Sequence, residues 1–246
     1  MGFKDHFSGH AQSYAAARPQ YPDELFAFLA NACAERSLAW DCGTGNGQAA
    51  RSLMAYFKRV IATDASEQQI AQATPSDNID YAVMRAEAPS LEEATLDLVV
   101  VAQALHWFDV GGFFAGVDRV LKKQGILAVW SYGLHQVDAE VDAIVHHLYQ
   151  QILGDYWPPE RCLVERGYED IQFPCAAIDA PGIELEVNWS LDQLLAYLMS
   201  WSAVQRYMLA LDENPLQLVT DELARVWGAA ATKKVSWPVT LYVGRK

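Results

Sequence analysis

The sequence predicts an α/β fold, a doubly wound and mostly parallel sheet, on three observations. Short apolar runs at 38–42, 60–63 and 96–102 are each followed by a turn and a stretch with helical spacing, the alternation that builds βαβ units. Between the first run and its helix stands Gly43-Thr44-Gly45-Asn46-Gly47, three glycines at every second position. The run Leu96-Asp97-Leu98-Val99-Val100-Val101-Ala102 is almost continuously apolar, as a central parallel strand buried on both faces must be.

Taken in order, residues 3–22 are aromatic and polar without a clean period and close on Pro19 and Pro22, which predicts a short helix or loop and then an extended turn. Leu25, Phe26, Leu29 and Cys33 are spaced as one helix face over 23–36, with Pro22 at its start. A first strand follows at 37–42, then the glycine turn, a helix over 48–57 and a second strand at 59–63. Ser66 and Gln69 have capping-box spacing for a helix over 66–73, which Pro75 ends. Strands are expected at 79–84, 96–102 and 126–132, with Phe113, Phe114, Val117, Val120 and Leu121 marking a helix over 110–122.

Past Gly133 the pattern changes. A helix over 138–153 gives way to a long irregular piece, 154–182, holding Trp157-Pro158-Pro159; a loop of that length predicts a lid or an acceptor-binding insertion. Residues 184–189 alternate as a strand, and Ser190 with Gln193 forms a second capping box for interrupted helices running to 211. A helix over 214–227 and a last strand at 234–243 complete a single domain. It divides into an N-terminal cover (1–36), a core (37–133), lid elements (134–233) and a terminal strand (234–246).

Hydrophobic residues make up 52% of the 246, enough for a sizeable core. The net charge of −13 would repel a phosphate backbone, and no basic run is longer than a pair such as Lys122-Lys123 or Lys233-Lys234, so nucleic acid is not the expected partner. Cys33, Cys42, Cys162 and Cys175 lack zinc spacing, and reduced thiols in a cytoplasmic protein are expected. No apolar signal core or membrane-length stretch is present, so no membrane partner is expected. His6 and His10 stand four apart with no third ligand near them, and no metal is expected.

The glycine turn carries the functional signal. Glycine accepts positive φ and has no side chain to hold a ligand away, so Gly43, Thr44 and Gly45 can present backbone N–H groups to a nucleotide at the helix N-terminus. Asp41 stands two residues before it. Asp64 closes the second apolar run about 20 residues beyond the turn, where a carboxylate can accept from both ribose hydroxyls. The G-x-G-x-G spacing differs from the G-x-G-x-x-G of dinucleotide enzymes.

Together the two segments resemble the cofactor half of the class I S-adenosylmethionine-dependent methyltransferases. Gln103-Ala104-Leu105-His106-Trp107-Phe108-Asp109 resembles the segment after strand four in their trans-aconitate methyltransferase-like branch, and 14–22, Tyr-Ala-Ala-Ala-Arg-Pro-Gln-Tyr-Pro, resembles that branch's N-terminal signature. The resemblance implies a Rossmann-like, seven-stranded sheet of order 3-2-1-4-5-7-6 with helical lid insertions, and S-adenosylmethionine as cofactor with S-adenosylhomocysteine as product. Its implied cofactor contacts are Tyr14 and Arg18 at the methionine end, Asp41, Gly43, Thr44 and Gly45 at the turn, and Asp64 and Ala65 at the ribose. Ala86 and Glu87 fall at the adenine edge, with Gln103 and Ala104 beside the methionine.

On the same resemblance the partner is a small-molecule methyl acceptor, reacting most readily at an oxygen of a carboxylate or hydroxyl. Trp107 becomes a wall of the site, and Trp201 and Arg206 shape the acceptor pocket, with Arg206 toward a carboxylate. His106 fits a general base for a hydroxyl and equally a core histidine; a carboxylate acceptor needs no base. Arg18 fits a surface ion pair as well, Glu87 a solvated loop acid, and the aromatic stripe at 197–207 plain helix core. A nicotinamide oxidoreductase and a catalytically silent cofactor-binding scaffold remain the alternative classes.

Overall fold

The computed structural model describes residues 19–246. Helix α1 (Asp23–Ala32) leads into β1 (Leu38–Cys42), α2 (Gln48–Leu53), β2 (Arg59–Asp64), α3 (Glu67–Ala71), β3 (Ile79–Val83) and β4 (Leu96–Ala102). Then come α4 (Val110–Val120) and β5 (Leu121–Tyr132), followed by α5 (Ala139–His147), α6 (Arg161–Glu165), β6 (Ala176–Ala177) and β7 (Ile183–Trp189). Helices α7 (Leu191–Met199), α8 (Ser202–Leu211) and α9 (Thr220–Trp227) precede β8 (Lys233–Arg245).

Parallel pairing of β1 with β2 and β4, of β2 with β3 and of β4 with β5 makes the doubly wound sheet. The order is β3-β2-β1-β4-β5-β8-β6, with β8 antiparallel to β5 and β7 also paired to β8. The expected order is therefore present with one correction. Eight strands form, not seven, because the outer edge of β8 is shared: Ala176 pairs with Arg245 at one end and Ile183 with Val239 further along. Strand β8 is 13 residues long and outruns β5, whose last pair is Tyr132 with Val239. Its first half, paired only with β7 and with Gln136, stands beyond the carboxyl edge of the sheet and carries the lid.

Six of the seven residues of β4 are buried, as its apolar run predicts. The exception in kind is Asp97, which is buried at its N-terminal end. One carboxylate oxygen accepts from the N–H groups of Ser37 and Leu38 at 2.7 and 2.9 Å, and the other accepts from Lys122 Nζ at 2.6 Å. This acid thereby holds the start of β1 and of β5 to the central strand.

Shorter helices than the spacing suggests are found at α2 and α3, where the chain turns off after one and a half turns. Ser66 caps α3 as expected, accepting from Gln69 N at 3.3 Å, and Ser190 and Gln193 complete a reciprocal capping box on α7. Three further boundaries are corrected. Strand β5 begins at 121, because Gln124 takes a positive φ of 67° and lets the chain pass from α4 straight into the sheet. The helix over 138–153 ends at 147 in a π turn, and the one from 214 is a 3-10 turn at Pro215–Leu218 before α9. The 154–182 piece is not wholly irregular, since it contains α6 and β6.

Three apolar clusters result. Two line the faces of the sheet, one under α1 and α2 and one under α4. The third belongs to the lid, where Trp189, Tyr197, Trp201 and Trp237 pack together and Trp237 Nε1 donates to Tyr197 Oη at 3.1 Å. Among the described residues no helix is long and apolar enough to cross a membrane. Removing the buried acid that links three strands leaves two N–H groups without their acceptor and Lys122 with only its exposed partner Glu35, so Asp97→Ala is expected to lower unfolding free energy by about 3 kcal/mol in urea titrations.

Candidate active site

The carboxyl ends of β1, β2 and β4 meet at one edge. After β1 the chain turns at Gly43, Gly45 and Gly47, with φ of 72°, 57° and 87°. The Gly43 and Thr44 N–H groups donate to Thr63 O at 2.8 and 2.9 Å, which ties the turn to β2. A Cβ at Gly43 would stand 2.6 Å from the Ala104 Cβ, so only glycine lets this turn pass the segment after β4. Among the described residues a Cβ at Gly45 would meet the Gln69 side chain alone, at 3.7 Å, so the turn allows close approach there. The N–H groups of Gly43, Thr44 and Gly45, expected to face a nucleotide, are instead engaged by Thr63 O and the Asp64 carboxylate, a correction to that expectation.

Asp64 joins the two turns. Its carboxylate accepts from Gly45 N and from Ser66 N, each at 2.9 Å, and half-buried Ala65 lies between. Asp41 is fully buried beneath the turn and accepts from Thr44 Oγ1 at 2.5 Å. It supports the turn from below. Burial pushes its carboxyl up to about 7, against the lowering effect of the Thr44 hydrogen bond.

Ala86 is buried in the loop after β3, where Glu87 accepts from Asp109 N at 3.1 Å and from Arg85 Nε at 3.3 Å. Glu87 therefore braces the start of α4. Gln103 holds a positive φ of 55° at the end of β4, secured by its N–H to Trp130 O at 2.9 Å and its Nε2 to Tyr132 O at 2.8 Å. Ala104 packs on Gly43, and a 3-10 turn carries His106 and Trp107.

A cavity opens beside this segment. Gln103, His106 and Trp107 form its sheet side, and Tyr132, Gly133 and Leu134 continue it from β5. The lid contributes Trp157, Pro158, Arg161, Tyr197, Trp201 and Ser202. The structure thus brings Gln103, His106, Trp107 and Trp201 to one chamber. Arg206 lies one turn along α8 from Ser202 and is not among the residues lining it, a correction to the expected pocket: the guanidinium there is Arg161. Tyr14 and Arg18 lie outside the described residues.

Two further residues escaped the sequence. Tyr168, fully buried, shares a hydrogen bond of 2.9 Å with His106 Nδ1, and burial pushes its phenol well above the ordinary range. His135 is 2% exposed between Tyr197, Trp201 and Trp237, and burial lowers it to about 3, so it is neutral. Neither stands in a recognisable spacing; Tyr168 lies in the long 154–182 piece and His135 in the short connection after β5.

These features define a doubly wound protein with a glycine turn pinned by an acid at the end of β2 and an adjoining aromatic chamber. A methyltransferase-domain family model matches residues 40–129. A protein of Dictyostelium discoideum that carries a methyltransferase name is 34% identical over 252 residues, covering 99% of this chain and 96% of its own length. A solved chain from Anaeromyxobacter dehalogenans, described as a type II methyltransferase, is 41% identical with a TM-score of 0.86, over 93% of this chain and 97% of that one. Phosphoethanolamine N-methyltransferase 2 of Haemonchus contortus, solved with S-adenosylhomocysteine, shares the fold alone, at 16% identity and a TM-score of 0.51, over 100% of this chain and 60% of that one. The chain belongs to the S-adenosylmethionine-dependent methyltransferases, which decides against the nicotinamide and scaffold alternatives.

Because the Asp41 carboxyl is raised in the folded protein, it favours folding fully only below the unfolded value near 4, and that contribution is lost as pH rises through about 7. Urea unfolding of wild type and Asp41→Asn at pH 5 and pH 8 is expected to show the wild type losing more stability than the variant over that interval.

Proposed function

We propose that the protein methylates an oxygen, of a carboxylate or hydroxyl, on a small-molecule acceptor, as a member of the trans-aconitate methyltransferase-like branch. The observation that carries this is the placement of the aromatic chamber directly after Ala104, which packs on the glycine turn. A net charge of −13 and the absence of long basic runs support a small acceptor over nucleic acid.

When bound, S-adenosylmethionine supplies a methyl on a cationic sulfur, the acceptor oxygen forming the new C–O bond as the C–S bond breaks and its electron pair stays on sulfur. Gly43, Thr44 and Gly45 would hold the cofactor along the turn, Asp64 and Ala65 its ribose, and Ala86 its adenine, with Glu87 bracing that loop. Asp41 acts through Thr44, while Gln103 and Ala104 bound the methionine portion with Tyr14 and Arg18. Trp107 and Trp201 exclude water and orient the acceptor, and alignment of this kind is worth roughly 7 to 11 kcal/mol of barrier. For a hydroxyl acceptor His106 takes the proton, its ring held by Tyr168; a carboxylate gives up none.

A labelled-methyl screen over small acids, alcohols, phenols and amines is expected to place the label on oxygen, and label on nitrogen or carbon alone would refute this. Asp64→Ala should weaken S-adenosylhomocysteine binding about 10-fold or more by calorimetry, as loss of a charged hydrogen-bond acceptor does. His106→Asn separates the acceptors: kcat should fall about 100- to 10,000-fold for a hydroxyl, and little for a carboxylate.

A further inference from the structure

We propose that Arg161 is the anchor for an anionic group on the acceptor, so that the chamber selects small carboxylates or phosphomonoesters over amines. This rests on the reading that the chamber takes the acceptor. Three observations carry it. Among the described residues lining the chamber Arg161 is the only Lys or Arg, and no Asp or Glu lines it. In a chain of 31 acids against 18 basic residues, a pocket with that balance favours an anion.

The guanidinium is also held in place before any ligand arrives. Its plane lies over Trp157, 5.1 Å from the ring centroid, and its Nε donates to the Tyr149 hydroxyl at 2.9 Å. That hydroxyl in turn donates to Glu165. The Tyr149 contact engages Nε, and among the described residues no hydrogen bond occupies the forked Nη edge, the edge that matches two oxygens of a carboxylate or phosphate. Glu165 polarises Tyr149 without itself lining the chamber, so the arginine is oriented while its charge is not cancelled there.

Stacking of Arg161 on Trp157 supplies the readout. Protein saturated with S-adenosylhomocysteine is titrated with trans-aconitate and with phenyl phosphate while tryptophan fluorescence is followed; trimethyl trans-aconitate and benzylamine serve as neutral and cationic controls. Saturable binding of either anion, weakened about 10- to 100-fold in Arg161→Gln and partly restored in Arg161→Lys, is expected. S-adenosylhomocysteine affinity should be unchanged in both. If Arg161→Gln does not fold, Tyr149→Phe serves in its place, with anion binding weakened several-fold. Binding of neither anion, equal binding in wild type and variants, or preference for the amine overturns the proposal. Anion binding through Arg161 with methyl found on nitrogen or carbon would sustain it and refute only the oxygen reading.

Discussion

The carboxyl edge of the sheet depends on how closely two chain crossings approach one another. The turn after β1 and the segment after β4 come together at Gly43 and Ala104, where a side chain on the glycine would collide at 2.6 Å. Interiors pack too densely to absorb such an overlap by small shifts. The approach therefore requires glycine on one side and a small residue on the other. Because the two crossings touch, the glycine turn and the chamber behind His106 are neighbours, and their separation is set by backbone instead of by flexible side chains. The price of the arrangement is a left-handed Gln103, which two hydrogen bonds to β5 hold in place.

This explains what the sequence disclosed. Gly43, Gly45, Asp64 and the apolar run of β4 answer to backbone demands, positive φ, a turn pinned by a carboxylate, burial on both faces, and few residue types meet each demand. Their order and spacing were legible because alternatives are sterically excluded. Asp97 was in plain view but could not be interpreted, since its partners lie 25 to 60 residues away in sequence. The same holds for Glu87, expected at the adenine edge and found bonded to Asp109 N, a contact that depends on where α4 begins.

The acceptor side is built otherwise. Trp157, Tyr197 and Trp201 are large aromatics on short helices, and a lid core needs such residues whether or not a ligand lies beneath them. Their spacing carries no mark of the cavity. Arg206 was the cation the sequence pointed to, and nothing there marked Arg161; the break between α7 and α8 at Trp201 and the turn of 154–182 over the sheet edge put Arg161 in the lining instead. Tyr168 shows the limit most clearly: it reaches His106 from 62 residues away, on a loop whose Gly167 and Tyr168 both take positive φ.

A division of labour follows from that contrast. The sheet half uses backbone geometry, which tolerates little change, to shape the glycine turn and its contact with the segment after β4. The second half stands on the overhanging first half of β8, paired there with β7 and Gln136, and has its own apolar core. Substitutions within that core reach the chamber through Tyr197 and Trp201, which belong to both, while Val164 and Tyr168 pack into the sheet cluster and tie the two halves together beside His106. The long extension of β8 past β5 is therefore what gives the second half a core of its own, and Tyr168 is the strut that returns it to the sheet edge at His106.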